Sequence, residues 1–264
     1  MATLSMFWQK WQIKIKNEVA EFFTYNSLIY LLQIIAVLII FETLVIEPFR
    51  IPSGSMMPTL LVGDHIFVNK FTYGYSKYSL PSLLPYVDRA IPDGLGRAFF
   101  RNPERGDIVV FRGTKPDTKS TAYIKRVIGL PGDKVQIING NLYINGRRVI
   151  NIENKDGDAF HKVQERVLKR YTEKLSDSKS YYIYKDPSSK PNDIANTTKV
   201  FNVPSGHYFC LGDNRNGSAD SRFNEMGFIP VENLLGKAVI IYWNTLDAWE
   251  SLKKLSVQRL FSVL

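Results

Sequence analysis

Cysteine is nearly absent from the 264-residue sequence, which contains a single one, Cys210. A lone thiol forms no intramolecular disulfide, and it excludes both a C-x-x-C redox site and a multi-cysteine zinc site. Cys210 lies in an apolar run between Phe209 and Leu211, so we expect a packed core cysteine rather than a nucleophile. A chain with one thiol suits an exported domain, where surplus thiols would mispair.

Histidine is scarce as well, with three residues: His65, His161 and His207. A Ser-His-Asp protease needs a histidine held by a carboxylate and a serine on a sharp turn, and the G-x-S-x-G form of that turn is absent. His161 lies in a polar segment and the other two in strand-like runs, so we expect all three to be structural. Zinc-ligand spacing and cofactor motifs are also missing, and the sequence predicts no metal and no cofactor.

The formal net charge of +9 is not concentrated in any long block of lysine and arginine. Scattered basic residues favour solubility and attraction to anionic lipid headgroups over nucleic-acid binding. We therefore expect membrane lipid, and no nucleic acid, among the partners of the chain.

One long hydrophobic run lies near the N-terminus. Residues 27–46 (SLIYLLQIIAVLIIFETLVI) match the roughly 20 residues of a membrane-spanning helix. A cleaved signal peptide would have a shorter run followed by a small-x-small site, which is missing here. Lys10, Lys14 and Lys16 precede the run and predict a cytoplasmic N-terminus. The sequence therefore predicts a single-pass protein of the inner (plasma) membrane whose main domain lies on the periplasmic or equivalent exported side.

Beyond this run the pattern changes to short apolar stretches broken by glycine and proline, such as GDIVVFR, KVQIING and GKAVIIYW. Stretches of this kind are typical of strands, and Asn139-Gly140 and Asn145-Gly146 are hairpin turn signals. The predicted fold class is mainly β: an antiparallel β-sheet core with an inserted subdomain, preceded by one N-terminal transmembrane helix.

Changes in composition divide the chain further. Residues 73–104 have the composition of a long surface loop, and a short helix is predicted at 159–175. The C-terminal leucines have near-helical spacing, as in an amphipathic helix that either lies on the membrane or packs on the domain. The predicted segments are a cytoplasmic N-terminal segment 1–26, the anchor 27–46, the first part of the core 47–146, the inserted subdomain 147–200, the second part of the core 201–245 and a tail 246–264.

Three segments carry candidate chemistry, and the first is IPSGSMMPTL at residues 51–60. It follows the hydrophobic run almost directly. Pro52 and Pro58 stiffen it, and Gly54 lets the backbone approach a ligand closely. The segment either presents a nucleophilic serine or is a plain linker leaving the membrane, and its composition alone favours neither.

The second segment, AYIKRVIGLPGD at 122–133, places two adjacent cations in an apolar strand. Since alternate strand residues share a face, Lys125 and Arg126 point to opposite sides, and one must meet a largely apolar face. A buried lysine has a lowered pKa and can act as a general base near neutral pH. The alternative is that both charges reach solvent at a strand edge.

The third segment, GDNRNGSADSR at 212–222, is a polar, turn-rich loop behind a strand. Its carboxylates and arginines are either solvated or form buried ion pairs around an active site.

In this order, the segments resemble type I signal peptidases, the membrane-bound Ser/Lys proteases that remove signal peptides. The resemblance covers residues 47–241 apart from the loop and the insert. Asn216-Gly217 stands where many members carry Asp-Asn, and we expect little effect because Asn-Gly keeps the turn. The matching motifs are PSGSMMPTL, GDHIFVNK, RGDIVVF, YIKRVIGLPGD, GDNRNGSADSR and GFIPVENLLGKA.

The resemblance implies a role for each matching residue. Ser55 would be the nucleophile and Lys125 the general base. The Ser55 backbone N–H and the Ser53 hydroxyl would form the oxyanion hole, and Ser218 would hydrogen-bond the lysine and orient it. Two ion pairs, Asp213 with Arg126 and Asp220 with Arg222, would hold the site together, and Gly212 would leave room beside the lysine. The implied shallow substrate pockets are lined by Phe49, Ile51, Met56, Leu60, Val110 and Ile124.

The implied function is a membrane-bound serine endopeptidase that removes signal peptides from exported preproteins, cutting after small residues in an Ala-x-Ala-like pattern. Its implied partners are signal-peptide-bearing preproteins, membrane lipid and, through a functional encounter, the export translocon. A soluble self-cleaving repressor would need a DNA-binding helix-turn-helix where this chain has its hydrophobic run. The alternative is a catalytically inactive, membrane-tethered peptide-binding module, although the implied catalytic dyad, Ser55 and Lys125, is present together with Ser218.

Overall fold

The computed structural model describes residues 2–22, 25–79, 97–154, 160–163, 166–244 and 261–264. Two compact units are present, Met1–Thr43 and Leu44–Leu264. The first unit consists of helix α1, Ala2–Phe22, and helix α2, Tyr25–Leu44, whose last residue belongs to the second unit. The predicted N-terminal segment is thus helical over most of its length, which composition did not indicate.

Helix α2 ends earlier than the predicted span. It reaches Leu44, and Ile46 already pairs with Asn69 as the first residue of a strand. Large apolar side chains of α2 are exposed around the helix, among them Leu31 and Val37. In the part of the chain that the structure describes, no helix is both long and apolar enough to cross a membrane.

The second unit is built of strands, as predicted. Every pairing between them is antiparallel, which confirms the mainly β, antiparallel class. Among the described residues the strands are β1 Ile46–Arg50, β2 Asp64–Asn69, β3 Ile108–Arg112, β4 Ala122–Gly129, β5 Lys134–Ile138, β6 Asn141–Ile144, β7 Arg147–Arg148, β8 Ile150–Glu153, β9 Phe160–Val163, β10 Arg166–Lys174, β11 Ser180–Lys185, β12 Phe201–Asn202, β13 His207–Leu211, β14 Ile229–Pro230, β15 Leu234–Asn244 and β16 Ser262–Val263.

The largest sheet has the order β1-β2-β15-β3-β4-β13-β14, with β16 beside β15. The central strands β3 and β4 are buried on both faces. Four of the five residues of β3 are buried, and so are the last five of β4. Val110 packs in one core cluster and Val109 in another, which places a hydrophobic core on each side of the sheet.

The two predicted hairpin turns are confirmed. Asn139-Gly140 joins β5 to β6 with φ values of 47° and 72°, and Asn145-Gly146 joins β6 to β7 with φ values of 52° and 78°. Positive φ at both central residues is the geometry that selects Asn-Gly in tight hairpins. These strands form a second sheet in the order β12-β5-β6-β7.

The helix predicted at 159–175 is wrong. The described residues of this stretch form β9 and β10, in a third sheet of order β11-β10-β8 with β9 beside β10. Strand β10 is paired along both edges, with β11 on one side and with β8 and β9 on the other. Pairing on both edges satisfies its backbone N–H and C=O groups, so tertiary partners override the helical spacing of its apolar residues.

The C-terminal end also differs from the predicted helix. Ser262 and Val263 form β16 against Ile241 and Ile240, and Leu264 packs on a core cluster. The rest of the predicted tail helix lies outside the described residues, as do residues 80–96 of the predicted loop.

A buried ion pair fixes the first strand beyond helix α2. Glu47 on β1 lies 2.7 Å from the Lys70 Nζ, whose side chain is fully buried. The same amine donates to the Ser79 carbonyl at 2.9 Å. A buried cation with a counter-ion and a further acceptor is fully compensated, so removing either partner would be costly.

A second buried ion pair joins the third sheet to the core. Glu173 on β10 is fully buried and accepts two hydrogen bonds from Arg215 in the loop after β13, one of them at 2.8 Å. The Tyr181 hydroxyl donates to the same carboxylate at 2.5 Å. Burial alone would raise the pKa of Glu173, but Arg215 and Tyr181 outweigh it and hold that pKa below its usual value. The region predicted as an insert is therefore joined to the core through an internal ion pair.

Replacing Glu173 should destabilise the protein strongly. We expect Glu173→Gln to lower the free energy of unfolding by about 3–5 kcal/mol, because it leaves the buried Arg215 charge without a counter-ion. Urea denaturation of the purified chain, followed by aromatic fluorescence, measures the change. The matched control is Glu153→Gln, which breaks the part-exposed pair with Lys169 in the same sheet and should cost less than about 1 kcal/mol. Equal losses in the two variants would contradict the role assigned to the buried pair.

Candidate active site

Ser55 lies on a single 3-10 turn, Gly54–Met56, that follows β1. The residues on either side, Ser53 and Met57, are extended, so the serine is presented on a sharp local bend. A Cβ at Gly54 would lie 2.9 Å from the Met57 Sδ, so a larger residue here would push the flexible Met57 side chain aside. Ser55 itself is 8% exposed, and its side chain faces strand β4.

Lys125 on β4 meets this serine. Its Nζ lies 2.8 Å from the Ser55 Oγ and 2.9 Å from the Ile124 carbonyl. Burial lowers the pKa of Lys125 to about 8, although the nearby carboxylates of Asp220 and Asp213 act in the opposite direction. The site thus places a hydroxyl beside an amine that is readily neutral, the arrangement of an activated serine.

The neighbouring cation, Arg126, is also buried, so neither of the two adjacent charges reaches solvent. It forms a bidentate pair with Asp213, Nε to Oδ1 at 2.8 Å and a terminal nitrogen to Oδ2 at 2.6 Å. Its guanidinium lies 3.9 Å from the centre of the Tyr181 ring, a cation–π contact. The Thr59 hydroxyl donates to the same Asp213 oxygen at 2.5 Å, so the ion pair joins β4, the loop after β13 and the segment that carries Ser55.

The second implied ion pair, Asp220 with Arg222, lies fully buried within the 212–222 loop. Its two hydrogen bonds are each 2.7 Å long. The Asp220 carboxylate also accepts from the Gly212 N–H at 3.0 Å, and Arg222 donates to the Arg215 carbonyl at 2.6 Å. These contacts close the loop on itself, which is the buried alternative of the two that the sequence left open.

Gly212 packs against the dyad without spare room. A Cβ at this position would lie 2.2 Å from the Ser218 Oγ and 2.5 Å from the Ser55 carbonyl oxygen. Any larger residue would therefore displace either the loop or the turn that carries the nucleophile.

Ser218 does not make its implied hydrogen bond to Lys125. The lysine amine donates to Ser55 and to its neighbour's carbonyl, whereas the Ser218 Oγ is buried without a hydrogen-bond partner among the described residues. Its side chain occupies the space that a Cβ at Gly212 would need. Ser53, the implied oxyanion donor, is exposed, with its Oγ 3.5 Å from the Ser55 Oγ.

The six implied pocket residues belong to one core cluster. They differ in depth, because only Phe49 and Ile124 are partly accessible. The other four are buried, so only Phe49 and Ile124 offer accessible apolar surface; the buried four are Ile51, Met56, Leu60 and Val110.

The expectations for the single thiol are confirmed. Cys210 is fully buried on β13, and burial raises the pKa of its thiol well above the usual value. His65 packs edge-on against the Tyr242 ring, and the His207 Nδ1 lies 2.9 Å from the Ser205 carbonyl. The side chain of His161 lies outside the described residues.

Several residues at the site were not predicted from the sequence. Thr59 and Asn214 lie inside motifs that were recognised, so their proximity could be inferred but their partners could not. Glu173 and Tyr181 lie in the region expected to be a separate insert, and a helical interpretation of that region hides them. Arg215 was counted among the loop's ions without a partner.

Comparison with known proteins identifies the family of this chain. Residues 24–243 match the family described as "Signal peptidase, peptidase S26". The chain belongs to this signal peptidase family.

Individual relatives agree with the assignment. The signal peptidase I of Rickettsia typhi (strain ATCC VR-144 / Wilmington) is 43% identical over 224 residues, which cover 82% of this chain and 79% of that one. The signal peptidase I of Rickettsia prowazekii (strain Madrid E) is 42% identical with the same coverage. A crystal structure of a signal peptidase I from Enterococcus faecalis V583 is 29% identical, covers 52% of this chain and 97% of that chain, and has a TM-score of 0.31. The resemblance seen in the motifs is confirmed, and this signal peptidase is a hydrolase.

The burial of Lys125 has a direct spectroscopic consequence. We expect its amine to lose its proton with a midpoint near pH 8, whereas exposed lysines titrate near about 10.4. Carbon-13 NMR of lysine-labelled protein measures the midpoint, and the signal that disappears in Lys125→Met identifies the residue. A midpoint in the range of exposed lysines would contradict the effect ascribed to burial.

Proposed function

We propose that this signal peptidase cleaves peptide bonds with Ser55 as the nucleophile and Lys125 as the general base. The observation that carries the proposal is the 2.8 Å separation between the Lys125 Nζ and the Ser55 Oγ in a buried pair. A lysine can accept a proton only when neutral, and the lowered pKa of Lys125 supplies the neutral form near physiological pH.

The proposed reaction follows from these positions. Neutral Lys125 takes the hydroxyl proton while the Ser55 Oγ bonds to the scissile carbonyl carbon, forming a tetrahedral oxyanion. The Ser55 N–H and the Ser53 hydroxyl stabilise that oxyanion. The protonated amine then gives its proton to the leaving nitrogen as the C–N bond breaks. Water, activated by the same lysine, hydrolyses the remaining ester and restores Ser55.

The depth of the apolar residues supports a preference for small substrate side chains. The Phe49 and Ile124 side chains are partly accessible, while the other implied pocket residues are buried. Because only two of these side chains are accessible, the apolar surface that they offer is small and suits a methyl group better than a large side chain. We propose cleavage after Ala-x-Ala-like sequences, which removes signal peptides from exported preproteins.

We further propose that residues 27–46 anchor the enzyme in the inner membrane. The support is the largely apolar sequence, in which Gln33 and Glu42 are the strongly polar side chains, the helix over Tyr25–Leu44 and the exposure of its apolar side chains. The positive charges of Lys10, Lys14 and Lys16 support a topology with the N-terminus in the cytoplasm and residues after 47 on the exported side. In this topology the enzyme meets preproteins in lipid, close to the translocon that delivers them.

Removing either dyad side chain should abolish cleavage. We expect Ser55→Ala and Lys125→Met to lower kcat by about four orders of magnitude or more, as for other catalytic groups that act as a unit. The assay uses the full chain in detergent and a peptide that carries Ala-x-Ala after an apolar run, with mass spectrometry of the products. Ser120→Ala and Lys134→Met, at exposed positions, are the matched controls.

The outcome distinguishes the enzyme from an inactive peptide-binding module. A module would bind the peptide without cutting it, in wild type and variants alike. Full activity in either dyad variant would refute the mechanism. For the wild type, kcat/KM should rise as pH increases through about 8, where Lys125 loses its proton; an acidic limb near pH 6.5 would instead indicate a histidine base.

The anchor has its own test. We expect the full chain to stay in the membrane pellet during alkaline carbonate extraction and the double variant Ile35→Lys with Leu38→Glu to be released. Each charge at the centre of a span costs about 2.5–3.5 kcal/mol or more. Ile150→Lys with Ile152→Glu, on exposed positions of β8, should remain in the pellet. Retention of the α2 variant would show that the chain is held by something other than this helix.

A further inference from the structure

Asn214 holds the nucleophile turn by two hydrogen bonds. Its backbone N–H donates to the Ser55 carbonyl at 3.1 Å, and its side-chain Nδ2 donates to the Gly54 carbonyl at 3.1 Å. One residue therefore engages both carbonyls that flank the Ser55 Cα. Asn214 is buried, so these bonds are protected from competition with water.

The second of these bonds sets the direction of a different group. The Gly54 carbonyl and the Ser55 N–H belong to the same peptide unit, which is planar and trans, so they point in opposite directions. An amide that holds the Gly54 oxygen toward the 212–222 loop thereby turns the Ser55 N–H away from that loop. This N–H is the backbone donor of the proposed oxyanion hole.

We propose that Asn214 is a positioning residue that orients the Ser55 N–H through the Gly54 carbonyl. The inference rests on the proposed role of Ser55 as nucleophile. Asn214 itself touches neither the substrate nor the reacting atoms. Its effect is on the transition state, in which negative charge develops on the scissile carbonyl oxygen and the Ser55 N–H donates a hydrogen bond to that oxygen.

The surroundings of Asn214 keep its amide in place. A Cβ at Gly217 would lie 2.6 Å from the Asn214 Nδ2, so glycine at this position leaves room for the amide. On the other side, the Tyr184 N–H donates to the Asp213 carbonyl and the Arg215 N–H donates to the Tyr184 carbonyl, each at 2.9 Å. Strand β11 of the third sheet thus holds the backbone on both sides of Asn214, which in turn contacts the turn that carries Ser55.

The test is Asn214→Asp in the full chain, a substitution that keeps size and shape but replaces the donor by a carboxylate. At the pH where Lys125 is neutral, that carboxylate repels the Gly54 oxygen instead of holding it. Loss of one oxyanion donor costs about 10²–10³ in kcat, so we expect its misorientation to lower kcat by about 10- to 100-fold. KM should stay within about threefold, because the pocket does not change. The added carboxylate should raise the pKa of Lys125, as Asp213 and Asp220 do, so kcat is compared on the alkaline plateau above the acidic limb of each variant.

The matched control is Asn216→Asp. Asn216 lies in the same loop, but its amide donates to Ser189 and Asn196, away from the nucleophile turn. We expect kcat to change less than about threefold in this variant. Melting temperatures of both variants show whether an activity loss reflects unfolding, since a loss confined to kcat at temperatures well below melting is not a stability effect.

A second variant covers the case in which Asn214→Asp does not fold. Gly217→Ala leaves Asn214 in the chain but pushes its amide, and it should lower kcat in the same direction with KM retained. Near-normal kcat in a folded Asn214→Asp, an equal loss in Asn216→Asp, or a rise in KM alone would overturn the proposal. Ser55→Ala, measured in parallel, separates the two ideas: if it is inactive while Asn214→Asp is fully active, only the positioning role fails.

Discussion

Buried positive charge is the constraint around which the site is organised. Four cations, Lys125, Arg126, Arg215 and Arg222, are buried close to one another. A charge in the protein interior costs several kcal/mol unless it is paired. Each guanidinium forms an ion pair with a carboxylate. Among the described residues Lys125 forms hydrogen bonds but no ion pair, so the cost of burying it falls when it gives up its proton. The proposed general base is therefore the one of these four cations for which the described residues show no counter-ion.

The loop at 212–222 is where these constraints meet. Asp213 pairs with β4, Arg215 with the third sheet, and Asp220 with Arg222 of the loop itself. The backbone and side chain of Asn214 contact the turn that carries the nucleophile. A polar loop can be buried in a strand-rich protein only if its groups are satisfied in this way. Through the Arg215–Glu173 ion pair, the third sheet consequently helps to hold the loop that contacts the nucleophile turn.

Much of the site was accessible from the sequence because its chemistry is concentrated in short local motifs. Ser55, Lys125 and the Asp213–Arg126 pair could be placed in this way. The depth of the pocket residues could not, since burial depends on which elements pack above them. The partners of Ser218 could not be placed either, because motif order does not encode side-chain geometry; its buried hydroxyl has no hydrogen-bond partner among the described residues. The prediction of a helix at 159–175 was wrong for a third reason. The spacing of apolar residues is a local feature of the sequence, whereas the pairing of β10 along both edges depends on residues far away in the sequence.

The Glu47–Lys70 pair has a consequence for where the reaction takes place. It fixes β1 in the sheet only three residues after Leu44, the last residue of α2. The chain from Leu44 to Ser55 spans at most about 40 Å when fully extended, and part of it is taken up by the strand and the turn. With α2 as the proposed anchor, this short segment of chain limits how far the nucleophile can lie from the membrane. Enzyme and preprotein would then meet by diffusion in the plane of the membrane. The length of the segment from Leu44 to Ser55 would limit the distance from the lipid at which a peptide bond can be cleaved.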